Sequence, residues 1–130
     1  MKMDIHGVGV DIVDIKRISK AIKKNDKFKS RVFSQNEIFK CNRVKNYHNC
    51  FAKRFAAKEA FSKALGTGIS KGLKFKEIQI LSNKNGKPDL RLIGNTKNLV
   101  KKILKNKRFK VLVSLSDEKS HAFAMVVVLV

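Results

Sequence analysis

Two carboxylates and one lysine are the residues of this sequence whose types and surroundings suggest chemistry. Asp11 lies inside the β-branched run Ile5 to Val13, and Glu59 lies among alanines and phenylalanines, with Lys63 four positions later. An unpartnered buried carboxylate is costly, so each acid requires a cation, hydrogen-bond donors or a solvent-filled cleft. Two carboxylates can hold Mg²⁺ when a phosphate and water complete its coordination. Taken alone, Glu59 and Lys63 could equally form a weak surface pair.

The segments that carry these residues can be assigned from their patterns. The run Ile5 to Val13 is typical of a buried strand. Residues 48 to 65 predict a long helix, which Gly66 ends because glycine adopts the left-handed C-cap conformation at little cost. Gly7 and Gly9 do not form a dinucleotide fingerprint, because its third glycine is absent. They indicate instead that something approaches the strand closely.

The other segments complete a mixed fold. The sequence predicts a single α+β domain over residues 1–130, with a mostly antiparallel sheet packed against the long central helix. The apolar last strand suggests cover on both faces, by another subunit. The remaining predicted elements are a helix at 14–25, a short helix opened by the capping box Ser34–Glu37, a loop at 41–49, strands at 74–82 and 89–93 joined by the turn Asn85–Pro88, a helix at 96–106, and a hairpin of strands 109–115 and 121–130.

The charge balance indicates an anionic partner. Thirty basic and ten acidic residues give a formal net charge of +20. Nucleic acid, a membrane surface, a phosphorylated cofactor or an acidic protein would each suit this charge. A compositional bias toward lysine and asparagine could also produce it. The basic stretch from Lys16 to Arg31 is accordingly either a solvated face or a docking surface for an acidic partner.

Compartment can be inferred from two further features. The longest apolar run, Ala122 to Val130, has nine residues and is too short to span a bilayer as a helix. Cys41 and Cys50 lack the spacing of a metal site and predict free thiols in a reducing compartment. We therefore expect a cytoplasmic protein that does not bind a membrane.

Two motifs resemble holo-acyl-carrier-protein synthase, the small bacterial-type class of 4′-phosphopantetheinyl transferases. The first is Gly7–Ile12 followed by Lys16–Ile18, and the second, longer and more specific, is Arg54–Gly68. Asn85–Pro88 and Val113–Asp117 resemble later motifs of the family in the same order. The resemblance thus covers nearly the whole chain.

The resemblance implies an activity and a set of catalytic residues. Family members transfer the 4′-phosphopantetheine arm of coenzyme A to a serine of apo-acyl carrier protein, release adenosine 3′,5′-bisphosphate and support fatty acid biosynthesis. By position in the motifs, Asp11 and Glu59 match the Mg²⁺ ligands, and Lys63 matches a cation beside the diphosphate. Glu59 and Lys63 are the expected catalytic residues. A metal-bound water or Glu59 would take the serine proton.

The resemblance also implies how the substrates and subunits are bound. The family is typically a homotrimer with active sites between subunits, and its first helix docks the acidic carrier protein. Asp117 is given no catalytic role, and His121 is read as structural. The expected carrier-docking residues are Arg17, Lys24, Lys27 and Arg31, and the expected coenzyme A-binding residues are Lys45, Arg54, Lys58, Gly66, Gly68, Asn85, Gly86, Lys87 and Pro88.

Two other function classes compete with this interpretation. A nucleic-acid-binding module would fit the +20 charge, but it requires exposed aromatic residues among the basic ones. Phe51, Phe55 and Phe61 fall on helix positions that look buried, so we expect no nucleic-acid partner. A catalytically inactive carrier-binding protein would not need Asp11, Glu59 and Lys63 together.

Overall fold

A 19-residue helix lies on a three-stranded antiparallel sheet, and their contact forms most of the core. The computed structural model describes residues 2–66 and 72–130. In chain order the elements are β1 (Ile5–Asp14), α1 (Ile15–Lys24), α2 (Asp26–Val32), α3 (Gln35–Asn42), α4 (Tyr47–Leu65), a 3-10 turn (Phe75–Glu77), β2 (Ile78–Ser82), β3 (Pro88–Leu92), α5 (Gly94–Ile103), β4 (Lys110–Asp117) and β5 (His121–Leu129).

The larger sheet has the strand order β1-β5-β4, and β2 and β3 form a separate antiparallel pair. The register of β5 places Met125 opposite Val10 and Phe123 opposite Ile12. β4 and β5 form the antiparallel hairpin that the sequence predicts. The α+β class with antiparallel sheets around a long helix is therefore confirmed.

The glycines of β1 let α4 lie directly on the strand. A Cβ atom at Gly7 would overlap the carbonyl oxygen of Ala64, and one at Gly9 would overlap that of Ala60. Both alanines are buried, so a small side chain on each element allows the two backbones to meet. The predicted close approach to these glycines is confirmed, and the approaching element is α4.

Strand alternation gives the larger sheet one covered face and one open face. The odd-numbered residues of β1 point toward α4, which brings Asp11 to the helix side of the sheet. Large apolar side chains are exposed on the opposite side, which we call the outer sheet face: Val8, Val10, Ile12, Leu112, Phe123 and Met125.

Helix α5 is capped by a side chain from another element. It follows Ile93, which has no polar side-chain atom to serve as an N-cap. Glu77 of the 3-10 turn supplies the acceptor instead, because its Oε1 receives hydrogen bonds from the backbone N–H (3.2 Å) and the hydroxyl (2.8 Å) of Thr96. Gly94 has φ of 61°, a value that favours glycine, and a Cβ atom there would meet the Glu77 carboxylate.

Several segments differ from the sequence-based prediction. Helix α2 was not expected because basic residues dominate its sequence, but Asn25 caps it and Phe28 and Val32 pack on the core. Residues 75–77 form a 3-10 turn before β2, where the sequence predicts strand, and α5 spans 94–103 instead of 96–106.

In the described part of the chain, no helix has the length and apolarity needed to cross a bilayer.

The prediction of two free thiols is wrong in this structure. The end of α3 and the start of α4 bring the Cα atoms of Cys41 and Cys50 to 5.4 Å, and the two sulfurs form a disulfide. This distance lies in the normal range for such a bond. The sequence could not show it, because the pairing depends on how the two helices turn back on each other.

Candidate active site

Asp11 and Lys63 meet across the contact between β1 and α4. The Lys63 ammonium lies 3.0 Å from Oδ1 of Asp11 and 3.0 Å from the carbonyl oxygen of Val10. The Asp11 side chain is 15% exposed and the Lys63 side chain 54% exposed, so the pair lies at the edge of the core and is open to solvent. Asp11 therefore has the cation partner that a carboxylate in an apolar strand requires.

Glu59 lies one helical turn before Lys63 and is close to the same carboxylate. Burial raises the pKa of Glu59, and the negative charge of Asp11 raises it further, whereas Lys63 and Arg17 act in the opposite direction. Two acids 48 positions apart in the chain are thus close enough to repel each other. An arrangement of this kind favours a bound cation.

The two carboxylates at this position suit an Mg²⁺ ion whose coordination is completed by water and a substrate phosphate. Within the described residues, no group of three or more histidine, cysteine or acidic side chains is placed to hold a metal. Asp11 and Glu59 supply hard carboxylate oxygens, and Mg²⁺ is commonly bound by one or two carboxylates together with water and substrate phosphates. The residues present therefore fit a metal that binds with an anionic substrate.

A basic cleft of about 490 Å³ opens between the α3–α4 junction, β2 and the end of β4. It contains two of the predicted coenzyme A-binding residues, Lys45 and Arg54. Asp117 is the acid in its wall and is bound by Asn49 (2.6 Å) and by Lys53 (3.4 Å). The lining residues of this basic cleft are Lys40, Val44, Lys45, Asn46, Asn49, Cys50, Lys53, Arg54, Ser82 and Asp117.

Sequence reasoning missed part of the basic cleft. Asn49 and Lys53 lie one helical turn apart on α4, on the same side as the predicted residue Arg54. Their spacing of four residues was the available signal, since side chains at this spacing share a helix face. Asp117, for which the sequence predicts no catalytic role, lies in the wall of the cleft.

Lys58 points into the protein interior. Its ammonium donates to Oε1 of Glu37 (2.7 Å) and to the carbonyl oxygens of Phe75 (2.7 Å) and Ile78 (2.5 Å), which uses all three of its hydrogens. Burial lowers the pKa of Lys58 to about 8, against the opposing effect of the Glu37 carboxylate. In this geometry Lys58 has no free hydrogen for a nucleotide phosphate.

Arg54 forms hydrogen bonds inside the protein and also lines the basic cleft. Its Nε donates to the carbonyl oxygen of Ile80 (3.0 Å) and its Nη1 to that of Cys50 (3.3 Å), although the residue also lines the basic cleft. Gly66 is the left-handed C-cap of α4, with φ of 81°. Gly68 lies outside the described residues.

The predicted adenine-side turn connects β2 to β3 beside the basic cleft. The Asn83 side chain accepts hydrogen bonds from the backbone N–H groups of Asn85 (2.9 Å) and Lys87 (3.0 Å). Gly86 has φ of 80°, a value that glycine adopts without strain. The residues of the turn from Asn85 to Lys87 are exposed, and Ser82 at its base lines the cleft.

The predicted docking residues lie on the first two helices. Arg17 and Lys24 of α1 and Lys27 and Arg31 of α2 are all exposed. Arg17 is also close enough to Glu59 to oppose the rise in its pKa. The basic surface of α1 therefore begins next to the two carboxylates.

Comparison with known proteins connects this arrangement to one family. The model of the 4′-phosphopantetheinyl transferase superfamily matches residues 7–126. A holo-[acyl-carrier-protein] synthase of Pelagibacter ubique (strain HTCC1062) is 46% identical over 125 residues, which are 96% of this chain and 97% of that protein.

Solved structures of similar proteins agree in fold. A holo-(acyl-carrier-protein) synthase from Bacillus anthracis in complex with CoA (3′,5′-ADP) has a TM-score of 0.79 and 35% identity, with 98% of each chain covered. The holo-[acyl-carrier-protein] synthase of Helicobacter pylori in complex with coenzyme A has a TM-score of 0.78 and 35% identity, covering 93% of this chain and 98% of that one. The chain therefore belongs to the holo-[acyl-carrier-protein] synthase family of phosphopantetheinyl transferases.

Proposed function

We propose that this enzyme transfers the 4′-phosphopantetheine group of coenzyme A to a serine of apo-acyl carrier protein, with Mg²⁺ as cofactor, in the cytoplasm and in support of fatty acid biosynthesis. The observation that carries the proposal is the meeting of Asp11, Glu59 and Lys63 at one contact between β1 and α4. Relatives of this chain solved with coenzyme A support the choice of donor.

The reaction is a phosphoryl transfer. The serine oxygen forms a bond to the phosphorus that carries the pantetheine arm, and the bridging P–O bond of the diphosphate breaks. The electron pair leaves with adenosine 3′,5′-bisphosphate, and the serine proton goes to a base. Because covalent catalysis is not needed for such a transfer, the protein contributes mainly position and charge.

Asp11 and Glu59 would hold the metal ion, which neutralises charge on the diphosphate when bound. Lys63 supplies a compact positive charge beside the same group. Its side chain is 54% exposed, so it can turn from Asp11 toward a phosphate without opening the core. Glu59 would accept the serine proton, either directly or through water.

The basic cleft receives the adenosine end of coenzyme A. Lys45 and Arg54 line it, and Lys40 and Lys53 add further positive charge. The 3′-phosphate binds among these groups, and the Asn85–Pro88 turn lies against the adenine. Gly66, the C-cap of α4, lets the cofactor pass close to the backbone. The sequence assigns the same role to Gly68, which lies outside the described residues.

The exposed basic residues of α1 and α2 bind the acyl carrier protein. Complementary charge speeds encounter and makes binding sensitive to salt. The position of Arg17 beside Glu59 supports this surface, because a carrier protein seated on α1 brings its serine toward the two carboxylates.

The outer sheet face mediates trimer formation. Six exposed apolar side chains on three adjacent strands form a contiguous patch, and patches of this kind mark interaction sites in proteins. We assign a second and a third copy of the chain to this face, with active sites between subunits.

Mass spectrometry of apo-acyl carrier protein tests the proposal. Incubation with coenzyme A, Mg²⁺ and the enzyme should add one phosphopantetheine group per carrier, and a chelator should stop the addition. A carrier whose acceptor serine is replaced by alanine is the control. Unmodified carrier after complete incubation would contradict the transfer, and full transfer in excess chelator would contradict the metal requirement.

A further inference from the structure

The second sheet contacts α3 and α4 through buried charged side chains. One edge of β2 pairs with β3. On the other edge, the Ile80 N–H donates to Oε2 of Glu37 (3.1 Å), the Ile78 carbonyl accepts from Lys58, and the Ile80 carbonyl accepts from Arg54. Side chains thus satisfy backbone groups that a third strand would otherwise pair.

The Glu37–Lys58 pair is the centre of this contact. Both side chains have no exposed surface. Oε1 of Glu37 also accepts the backbone N–H of Ser34 (2.9 Å), which completes the capping box of α3. The pair therefore joins α3, α4, the 3-10 turn and β2, and it is fully hydrogen-bonded, as a buried charge pair must be.

The Glu37–Lys58 pair also connects the two parts of the proposed active site, which are the acids Asp11 and Glu59 and the turn between β2 and β3. Lys58 and Glu59 are consecutive on α4, and they face different neighbours. Lys58 contacts β2, whereas Glu59 is close to Asp11 of β1. β2 leads into the Asn83–Lys87 turn, which is closed by the hydrogen bond from Asn83 N to Lys87 O (2.8 Å). The position of this turn relative to Glu59 therefore depends on the hydrogen bond between Lys58 and β2.

We propose that Lys58 and Glu37 are positioning residues that hold the β2–β3 turn beside the basic cleft, where the turn contacts the adenosine end of the donor. The inference rests on the proposed function, since it takes coenzyme A as the donor. Lys58 is not among the residues that line the basic cleft in the described part of the chain. The pair acts on the nucleotide through the turn.

The test removes both charges together, so that neither is left buried alone. In the double variant Lys58→Met/Glu37→Gln, the amide keeps an acceptor for Ser34 and the thioether keeps the volume of the lysine stem. Lys102→Met, at an exposed position on α5, is the matched control. Titration calorimetry with adenosine 3′,5′-bisphosphate, steady-state kinetics and amide hydrogen exchange are measured on all three proteins.

We expect the dissociation constant of the bisphosphate and the KM for coenzyme A to rise about tenfold in the double variant, because ground-state and transition-state binding are lost equally. The kcat at saturating coenzyme A should change less than about twofold, since the groups at the reacting phosphate are intact. Amide exchange should accelerate at residues 78–87, and protection of β1 should be unchanged.

Unchanged bisphosphate affinity with accelerated exchange would overturn the proposal and leave the pair a structural role only. A fall in kcat without a rise in KM would also overturn it. Should the double variant fail to fold, Lys58→Arg, which keeps both charges and changes only the hydrogen-bond geometry, is judged by the same criteria. Failure of the unsubstituted enzyme to bind the bisphosphate would instead contradict the proposed function, which separates the two outcomes.

Discussion

The ammonium of Lys63 lies 3.0 Å from the carboxylate of Asp11, a residue 52 positions earlier in the chain. This contact joins β1 to the last turn of α4. Because Gly7 and Gly9 let the helix backbone lie on the strand, a lysine of α4 can reach a carboxylate of β1. The same packing of α4 on β1 brings Glu59, one helical turn before Lys63, close to Asp11.

Removing either acid should abolish metal-dependent transfer. We expect Asp11→Asn and Glu59→Gln each to lower the transfer rate by at least about 10²-fold, because groups that stabilise charge at a reacting phosphate have effects of this size. Transfer is measured by mass spectrometry of the carrier protein. Asp89→Asn in β3 is the control and should transfer normally. Wild-type rates in either site variant would exclude that residue as a metal ligand.

Charge reversal on the docking helices should weaken carrier binding selectively. We expect Lys24→Glu to raise the KM for the carrier protein and to lessen its salt dependence, with little effect on coenzyme A binding, because Lys24 is exposed and distant along α1 from Arg17. Lys102→Glu carries the same charge change on α5 and is the control.

Arg17→Glu is a less selective variant than Lys24→Glu. Arg17 opposes the rise in the Glu59 pKa, so a carboxylate at this position should also raise that pKa further. A loss of coenzyme A affinity in Lys24→Glu, with carrier binding unchanged, would contradict the docking assignment.

The cap of α5 should make stability dependent on pH. Hydrogen bonds from Thr96 lower the pKa of Glu77 from its usual 4.5. The folded state therefore binds a proton less readily there, so its stabilising effect is present above the unfolded pKa and is lost as the pH falls through the folded value. Glu77→Gln should lower the urea midpoint at neutral pH and much less at an acid pH below the folded pKa of Glu77.

Glu118→Gln, an exposed acid in the β4–β5 turn, is the control for this measurement. An equal loss of stability for Glu77→Gln at both pH values would show that the charge of Glu77 has no part in capping α5.

The disulfide predicts a definite labelling result. Protein isolated without reductant should not react with iodoacetamide after unfolding, since Cys41 and Cys50 are bonded to each other. Cys41→Ala/Cys50→Ala should lower the free energy of unfolding by about 2–3 kcal/mol, as expected for a short closed loop. Alkylation of both cysteines in the protein purified from cells would contradict the disulfide and support the free thiols that the sequence predicts.

The outer sheet face should control assembly. Met125→Lys places a charge in the exposed apolar patch, and we expect it to convert a trimer into monomers in sedimentation experiments. If active sites lie between subunits, transfer should fall with the trimer. Asn98→Lys on α5 is the control and should leave the sedimentation coefficient unchanged. A wild-type chain that sediments as a monomer would contradict the assignment.

Local sequence determined the elements that carry the site. The β-branched run of β1, the alanine-rich stretch of α4 with Gly66 at its end, and the Ser34–Glu37 capping box rest on interactions between residues a few positions apart. Such interactions can be recognised in a single sequence. The family motifs, which lie on these same elements, indicated the fold class and the activity.

Tertiary structure decided the partners of the charged residues. Lys63 pairs with Asp11 of β1, Lys58 turns to Glu37 and β2, and the two cysteines join. Helical spacing places Lys58, Glu59 and Lys63 on a helix, but it does not say which neighbour each side chain meets. Those neighbours are brought together by packing between elements distant in the chain. Only the folded structure therefore distinguishes a lysine exposed beside Asp11 from a lysine buried in the core.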